Sequence, residues 1–128
     1  MSVAFVFPGQ GSQAVGMLSS LVGRPEVDAL VARADAALGE PLLSRVIAEG
    51  PAEELALTTW TQPAMLLAGI ANLAAWRAEG GPEPDFVAGH SLGEYTALVA
   101  AGSLDLDTAV KLVRLRAQAM QEAVPVGT

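Results

Sequence analysis

The sequence predicts an α/β fold in which parallel strands are flanked by helices. Three observations carry that reading. Val3 to Phe7 and Asp85 to Ala88 are short, mostly apolar runs that read as buried parallel-sheet strands. Between and after them, apolar residues recur at helical spacing. The second run then leads through Gly89-His90-Ser91-Leu92-Gly93 into a helix-like stretch from Glu94 to Ala101. This is the G-x-S-x-G elbow, in which a strand turns sharply into a helix and lifts a serine hydroxyl clear of the sheet.

Taken in order, the first strand ends at Pro8, and Pro8-Gly9-Gln10-Gly11-Ser12-Gln13 follows as a glycine-rich loop. Gly9, Gly11 and Ala14 fit the dinucleotide spacing G-x-G-x-x-A. However, the acidic residue that motif needs at the end of a second strand is missing, because Glu26 and Asp28 open a helical pattern instead. That pattern runs from Pro25 to a stop at Gly39. A shorter helix is expected over Leu42 to Ala48, ended by Gly50, and a further short turn over Pro51, Glu53 and Glu54. Thr61-Gln62-Pro63 precedes a run to Trp76 in which Asn72 is the one strongly polar residue. A helix apolar on nearly all sides has to be buried. Gly81-Pro82-Glu83-Pro84 connects it to the elbow strand, and the last helix is expected from an Asp105 N-cap to about Ala123.

Composition bounds the function. At 128 residues and 52% hydrophobic, the chain has material for one globular core. Met1 leads straight into a strand with no basic segment, and the longest apolar run, Pro63 to Ile70, is far short of a membrane span. A soluble protein is expected. The absence of cysteine rules out disulfides and a cysteine nucleophile. A net charge of −7 argues against nucleic acid and anionic membrane partners.

Ser91 is the candidate nucleophile. Gly89 and Gly93 lack a Cβ, so the strand end and the first helical turn can approach closely while Ser91 takes strained angles. Its position before a helix places it near unpaired N–H groups that favour a developing negative charge. His90, the one histidine, is badly placed as its base, because neighbouring strand residues point to opposite faces. It is expected to pack under the elbow or to bond backbone there. The base must then lie in sequence beyond this chain, and two strands do not make a stable α/β sheet. A fragment of a longer protein is the expectation.

Arg116 is singled out by spacing. Ala109, Leu112, Val113, Met120 and Ala123 stand at helical intervals around it, so it projects from the apolar stripe. Binding a carboxylate ligand, pairing with a buried structural carboxylate and snorkelling all remain open from spacing alone. Arg114, with Lys111, Gln118 and Gln121 as same-face neighbours, reads as solvated.

Several of these stretches together resemble one family. Phe5-Val6-Phe7-Pro8-Gly9-Gln10-Gly11-Ser12-Gln13, Thr61-Gln62-Pro63-Ala64, Gly89-His90-Ser91-Leu92-Gly93-Glu94-Tyr95, and Arg116 with Met120-Gln121-Glu122-Ala123-Val124-Pro125 are similar to the malonyl-CoA:acyl carrier protein transacylases of bacterial type II fatty acid synthesis. The resemblance runs from end to end. It implies an α/β-hydrolase-like parallel sheet with flanking helices, incomplete here. Residues 1–128 would form the N-terminal portion of the large acyltransferase subdomain, and a small ferredoxin-like subdomain would follow Thr128. It also implies Ser91 as the acylated nucleophile and the backbone N–H groups of Gln10 and Leu92 as the oxyanion hole. Gln62 would line the site, and Arg116 would clamp the malonyl carboxylate in a bidentate pair.

The implied reaction moves malonyl from coenzyme A to Ser91 and on to the phosphopantetheine thiol of acyl carrier protein, with no cofactor and no metal. The implied protein is cytoplasmic and monomeric when complete. The family's catalytic histidine has no counterpart here, which implies that this stretch alone is inactive. Its carrier protein is acidic, which restricts a docking patch in this chain to few residues, such as Lys111 and Arg114. Three alternatives stand beside this reading: an acyltransferase domain of a polyketide synthase, a serine esterase or thioesterase, and a non-catalytic interaction fragment. The start at Met1, directly before the first strand, favours a free-standing enzyme over the first of these.

Overall fold

A computed structural model describes residues 2–39 and 42–124. The end of the fourth resembling stretch at Pro125, and whatever follows Thr128, lie outside the described residues. Strand β1 (Ala4–Phe7) is followed by helices α1 (Pro25–Leu38), α2 (Leu42–Glu49), α3 (Ala52–Leu55) and α4 (Thr58–Ala78). Strand β2 (Phe86–Gly89) then leads into α5 (Gly93–Ala100) and α6 (Leu106–Ala123). β1 and β2 pair in parallel, Ala4 opposite Phe86 and Phe7 opposite Gly89, as expected of two strands separated by helical crossovers. Asp85 reinforces the start of the pair, because its side chain accepts from the Val3 N–H at 2.7 Å while its own N–H donates to the Val3 carbonyl.

The strands are less buried than their composition suggests. Val6 and Phe86 are 71% and 66% exposed, so both strands alternate instead of being covered on two faces. Phe5, Phe7 and Val87 form the covered side, packed with Leu73, Ala97 and Ala100 of the helices.

The main core is helical. Leu66, Leu67, Val27, Leu43, Val46, Val110 and Val113 are fully buried where α1, α2, α4 and α6 meet. As its apolar composition demands, α4 lies at the centre, buried without interruption from Thr61 to Ala68. It also begins earlier than expected. Thr61, Gln62 and Pro63 lie inside it, not before it, with the N-cap at Leu57. Pro63 removes one main-chain hydrogen bond near the helix start, where little of the helix precedes it. The Thr61 hydroxyl in the same segment donates to the carbonyls of Leu57 and Leu55. Asn72, the polar exception, turns outward and bonds the Ala68 carbonyl at 2.8 Å.

At the start of α6, Asp105 caps as expected, its carboxylate accepting from the Thr108 N–H at 2.7 Å. No described helix is long and apolar enough to cross a membrane.

Candidate active site

The site is assembled where β1, β2 and α5 crowd together. β2 ends at Gly89, Ser91 follows in a left-handed conformation with φ of 54°, and α5 starts at Gly93. Ser91 is the only non-glycine residue with positive φ among the described residues. A serine in that region is strained and persists only where its surroundings hold it. Here the restraint is backbone. A Cβ on Gly89 would overlap the Gly93 carbonyl group and the Glu94 nitrogen, and a Cβ on Gly93 would overlap the Phe7 carbonyl oxygen. The His90 N–H donates to the Phe7 carbonyl at 3.2 Å, and the His90 carbonyl accepts from the Gly93 N–H at 2.9 Å. Both glycines therefore have the role that the motif assigns them.

The glycine-rich loop after β1 reaches the same place. A Cβ on Gly9 would stand 2.8 Å from the His90 carbonyl and 3.7 Å from Ser91 Cβ, so only a bare backbone lets the loop come this close to the elbow. Gln10 is anchored through its side chain, whose Nε2 donates to Thr58 Oγ1 at the start of α4, 3.2 Å away. Residues 15–23 continue as turns, so the loop does not open a helix as a dinucleotide motif would require. Leu92, almost fully buried, is the N-cap of α5, and the Gly93, Glu94 and Tyr95 amides that follow it donate to the carbonyls of His90, Ser91 and Leu92.

The remaining groups come from α4 and α6. Arg116 Nη1 donates to Gln62 Oε1 at 2.7 Å, its Nη2 donates to Ser91 Oγ at 3.3 Å, and its guanidinium carbon lies 5.4 Å from the centre of the Tyr95 ring. Gln62 is 1% exposed, and its Nε2 donates to Met120 Sδ at 3.2 Å. A planar cation is thus held beside the candidate nucleophile by a buried amide and an aromatic ring.

Two expectations from spacing need correction. Arg116 is half-buried at the border of the apolar stripe, not within it. The buried row of α6 is Leu106, Ala109, Val110, Val113 and Ala117, while Leu112 and Met120 are 40% and 43% exposed. The helix is rotated so that Arg116 reaches sideways to Gln62. Arg114 is likewise not simply solvated, since its guanidinium stacks 4.3 Å from the Trp60 ring centre.

His90 is exposed and not packed under the elbow, and its main chain makes the bonds to Phe7 and Gly93. Among the described residues, the hydrogen-bond partner of Ser91 Oγ is Arg116, a permanent cation that cannot accept a proton. Sequence reasoning did not single out Tyr95 or Met120 individually. Each stands one helical turn from a candidate already in hand, Tyr95 from Ser91 and Met120 from Arg116. No group of three or more acidic or histidine side chains that could hold a metal ion occurs among the described residues.

A strained serine thus stands between two glycines that tolerate no Cβ, with a guanidinium at bonding distance. The sequence profile of the acyl transferase domain matches residues 4–128. The chain belongs to that family. Malonyl CoA-acyl carrier protein transacylase of Escherichia coli K12 is 54% identical over 126 residues, which is 98% of this chain and 40% of that protein. Acyl-carrier-protein S-malonyltransferase of Burkholderia pseudomallei has the same fold at a TM-score of 0.92 and 57% identity, over 99% of this chain and 41% of that one. A malonyl-transacylase solved in complex with the holo acyl carrier protein of a type II polyketide synthase matches with a TM-score of 0.92 and 50% identity, over 100% of this chain and 41% of that one. The acyl transferase chain described here therefore spans about 40% of the length of the curated relatives it matches.

Proposed function

We propose that the protein carrying these residues transfers a malonyl group from malonyl-CoA to the phosphopantetheine thiol of acyl carrier protein, in the cytoplasm and without a cofactor. The observation that carries this reading is the position of Arg116, bonded to Gln62 and within 3.3 Å of Ser91 Oγ. A hydrolase acting on neutral esters has no use for a guanidinium there, whereas an acyl group ending in a carboxylate does. The names of the relatives point the same way.

In this reading Ser91 Oγ attacks the thioester carbonyl. The Oγ–C bond forms first and leaves a tetrahedral oxyanion, the C–S bond breaks as the carbonyl re-forms, and the serine proton passes through a base to the departing thiolate. The Gln10 and Leu92 amides receive the oxyanion. The substrate carboxylate takes over the guanidinium from Ser91 Oγ and frees the hydroxyl to react. The carrier-protein thiol then attacks the ester and reverses the sequence.

The base comes from a part of the protein beyond these 128 residues, where the large acyltransferase subdomain is completed. The residues described here are accordingly inactive alone. The test is intact mass of the full-length protein after incubation with malonyl-CoA. One malonyl group should be gained by the parent protein and none by Ser91→Ala, and a Ser91→Ala protein that still forms the acyl-enzyme would sink the assignment.

A further inference from the structure

Gln62 faces Arg116 with its carbonyl, and something must keep it so. A glutamine amide is nearly symmetric in shape and opposite in polarity at its two ends, so rotation by half a turn exchanges an acceptor for two donors. With the amide reversed, Nε2 would point at the guanidinium, donor against donor, and the clamp would lose its support. Gln62 is 1% exposed, which leaves water little access to satisfy a misplaced amide. Its Nε2 instead donates to Met120 Sδ at 3.2 Å. A thioether has lone pairs and no proton to give, so it can face only the NH₂ end.

Met120 and Arg116 are one turn apart on α6, and Gln62 of α4 lies between them, bonded to both. The single helix thus presents a donor and an acceptor at the spacing of one amide. We propose that Met120 is a positioning residue for the carboxylate clamp: its sulfur reads the polarity of the Gln62 amide and holds the carbonyl on Arg116. Met120 contacts neither the thioester nor the reacting carbonyl in this role, and acts through Gln62. The role rests on the reading of Arg116 as the group that binds the acyl carboxylate.

A double-substitution cycle in the full-length protein tests it, with kcat and KM measured for malonyl-CoA and acetyl-CoA. Leucine keeps the volume of methionine and removes the acceptor, and the site is 43% exposed, so Met120→Leu should fold. It should lower the malonyl preference about 3- to 10-fold, mainly through KM for malonyl-CoA and with acetyl transfer unchanged. In a Gln62→Ala background the same substitution should have no further effect on the preference.

Equal effects in both backgrounds or a neutral Met120→Leu would each overturn the positioning role. If the parent protein itself showed no malonyl preference, the reading of the clamp would fail instead, and the two failures are thereby told apart.

Discussion

The helical core and the elbow of this chain are held by different means. In the core, α1, α2, α4 and α6 meet through branched aliphatic side chains such as Leu66, Leu67 and Val113, all fully buried. At the elbow the restraint comes from main chain pressed on main chain, with Gly89 against Gly93 and Gly93 against the Phe7 carbonyl. The strands there remain open on one face, as the 71% exposure of Val6 shows. Stability therefore resides mostly in the helices, while the geometry of the nucleophile depends on a few backbone contacts. The two regions meet through α5, whose N-cap Leu92 is buried in the helical core, and where α4 sends Gln62 and α6 sends Arg116 to the serine.

Substitutions on either side should separate these roles. The largest effect is expected from Gly93→Ala. Its methyl group would meet a backbone carbonyl that cannot step aside, and a cost of about 4–5 kcal/mol, or loss of folded protein, should appear in denaturant melts. Leu66→Ala should cost about 3 kcal/mol by leaving a cavity at a fully buried site. Below its own unfolding transition, that variant should still form the acyl-enzyme in the full-length protein. If Leu66→Ala abolished acylation while folded, the separation of the two regions would be wrong.

The smallest effect concerns the exposed cap of α6, at the rim of the helical core. The backbone hydrogen bond from Thr108 holds the Asp105 carboxyl below its ordinary value. A depressed folded value means that the cap stabilises fully above the unfolded value of about 3.9 and is lost as pH falls through the folded one. The melting temperatures of the parent and Asp105→Asn should therefore differ slightly at neutral pH and converge in acid, and a gap that widened in acid would contradict the cap.

The elbow was legible in the sequence because its constraints are local. Glycine at both ends of a five-residue turn, with a strand before and a helix after, leaves few conformations, and the strained φ of Ser91 follows from them. The helix ends at Gly39 and Asp105 were legible for the same reason. What sequence spacing misjudged was set by distant packing. The start of α4 at Thr58 depends on the tertiary burial of Thr61 and Gln62, which outweighs the helix-breaking signal of Pro63. The rotation of α6 is chosen by which residues α1 and α4 cover, so Leu112 and Met120 fell outside the buried row although they share its periodicity. Arg114 found Trp60 across 54 positions of sequence, a pairing that no local pattern encodes.

The central claim is that a guanidinium fixed beside Ser91 Oγ selects an acyl group ending in a carboxylate. A charge-assisted hydrogen bond contributes about 1.5–3 kcal/mol, and a fork of two can exceed that. The direct measurement is kcat/KM for malonyl-CoA and for acetyl-CoA on the full-length parent and on Arg116→Ala, with circular dichroism confirming that both are folded. Malonyl transfer should fall by at least about 100-fold while acetyl transfer changes little or rises. An equal loss for both thioesters would make Arg116 a structural residue and contradict the account.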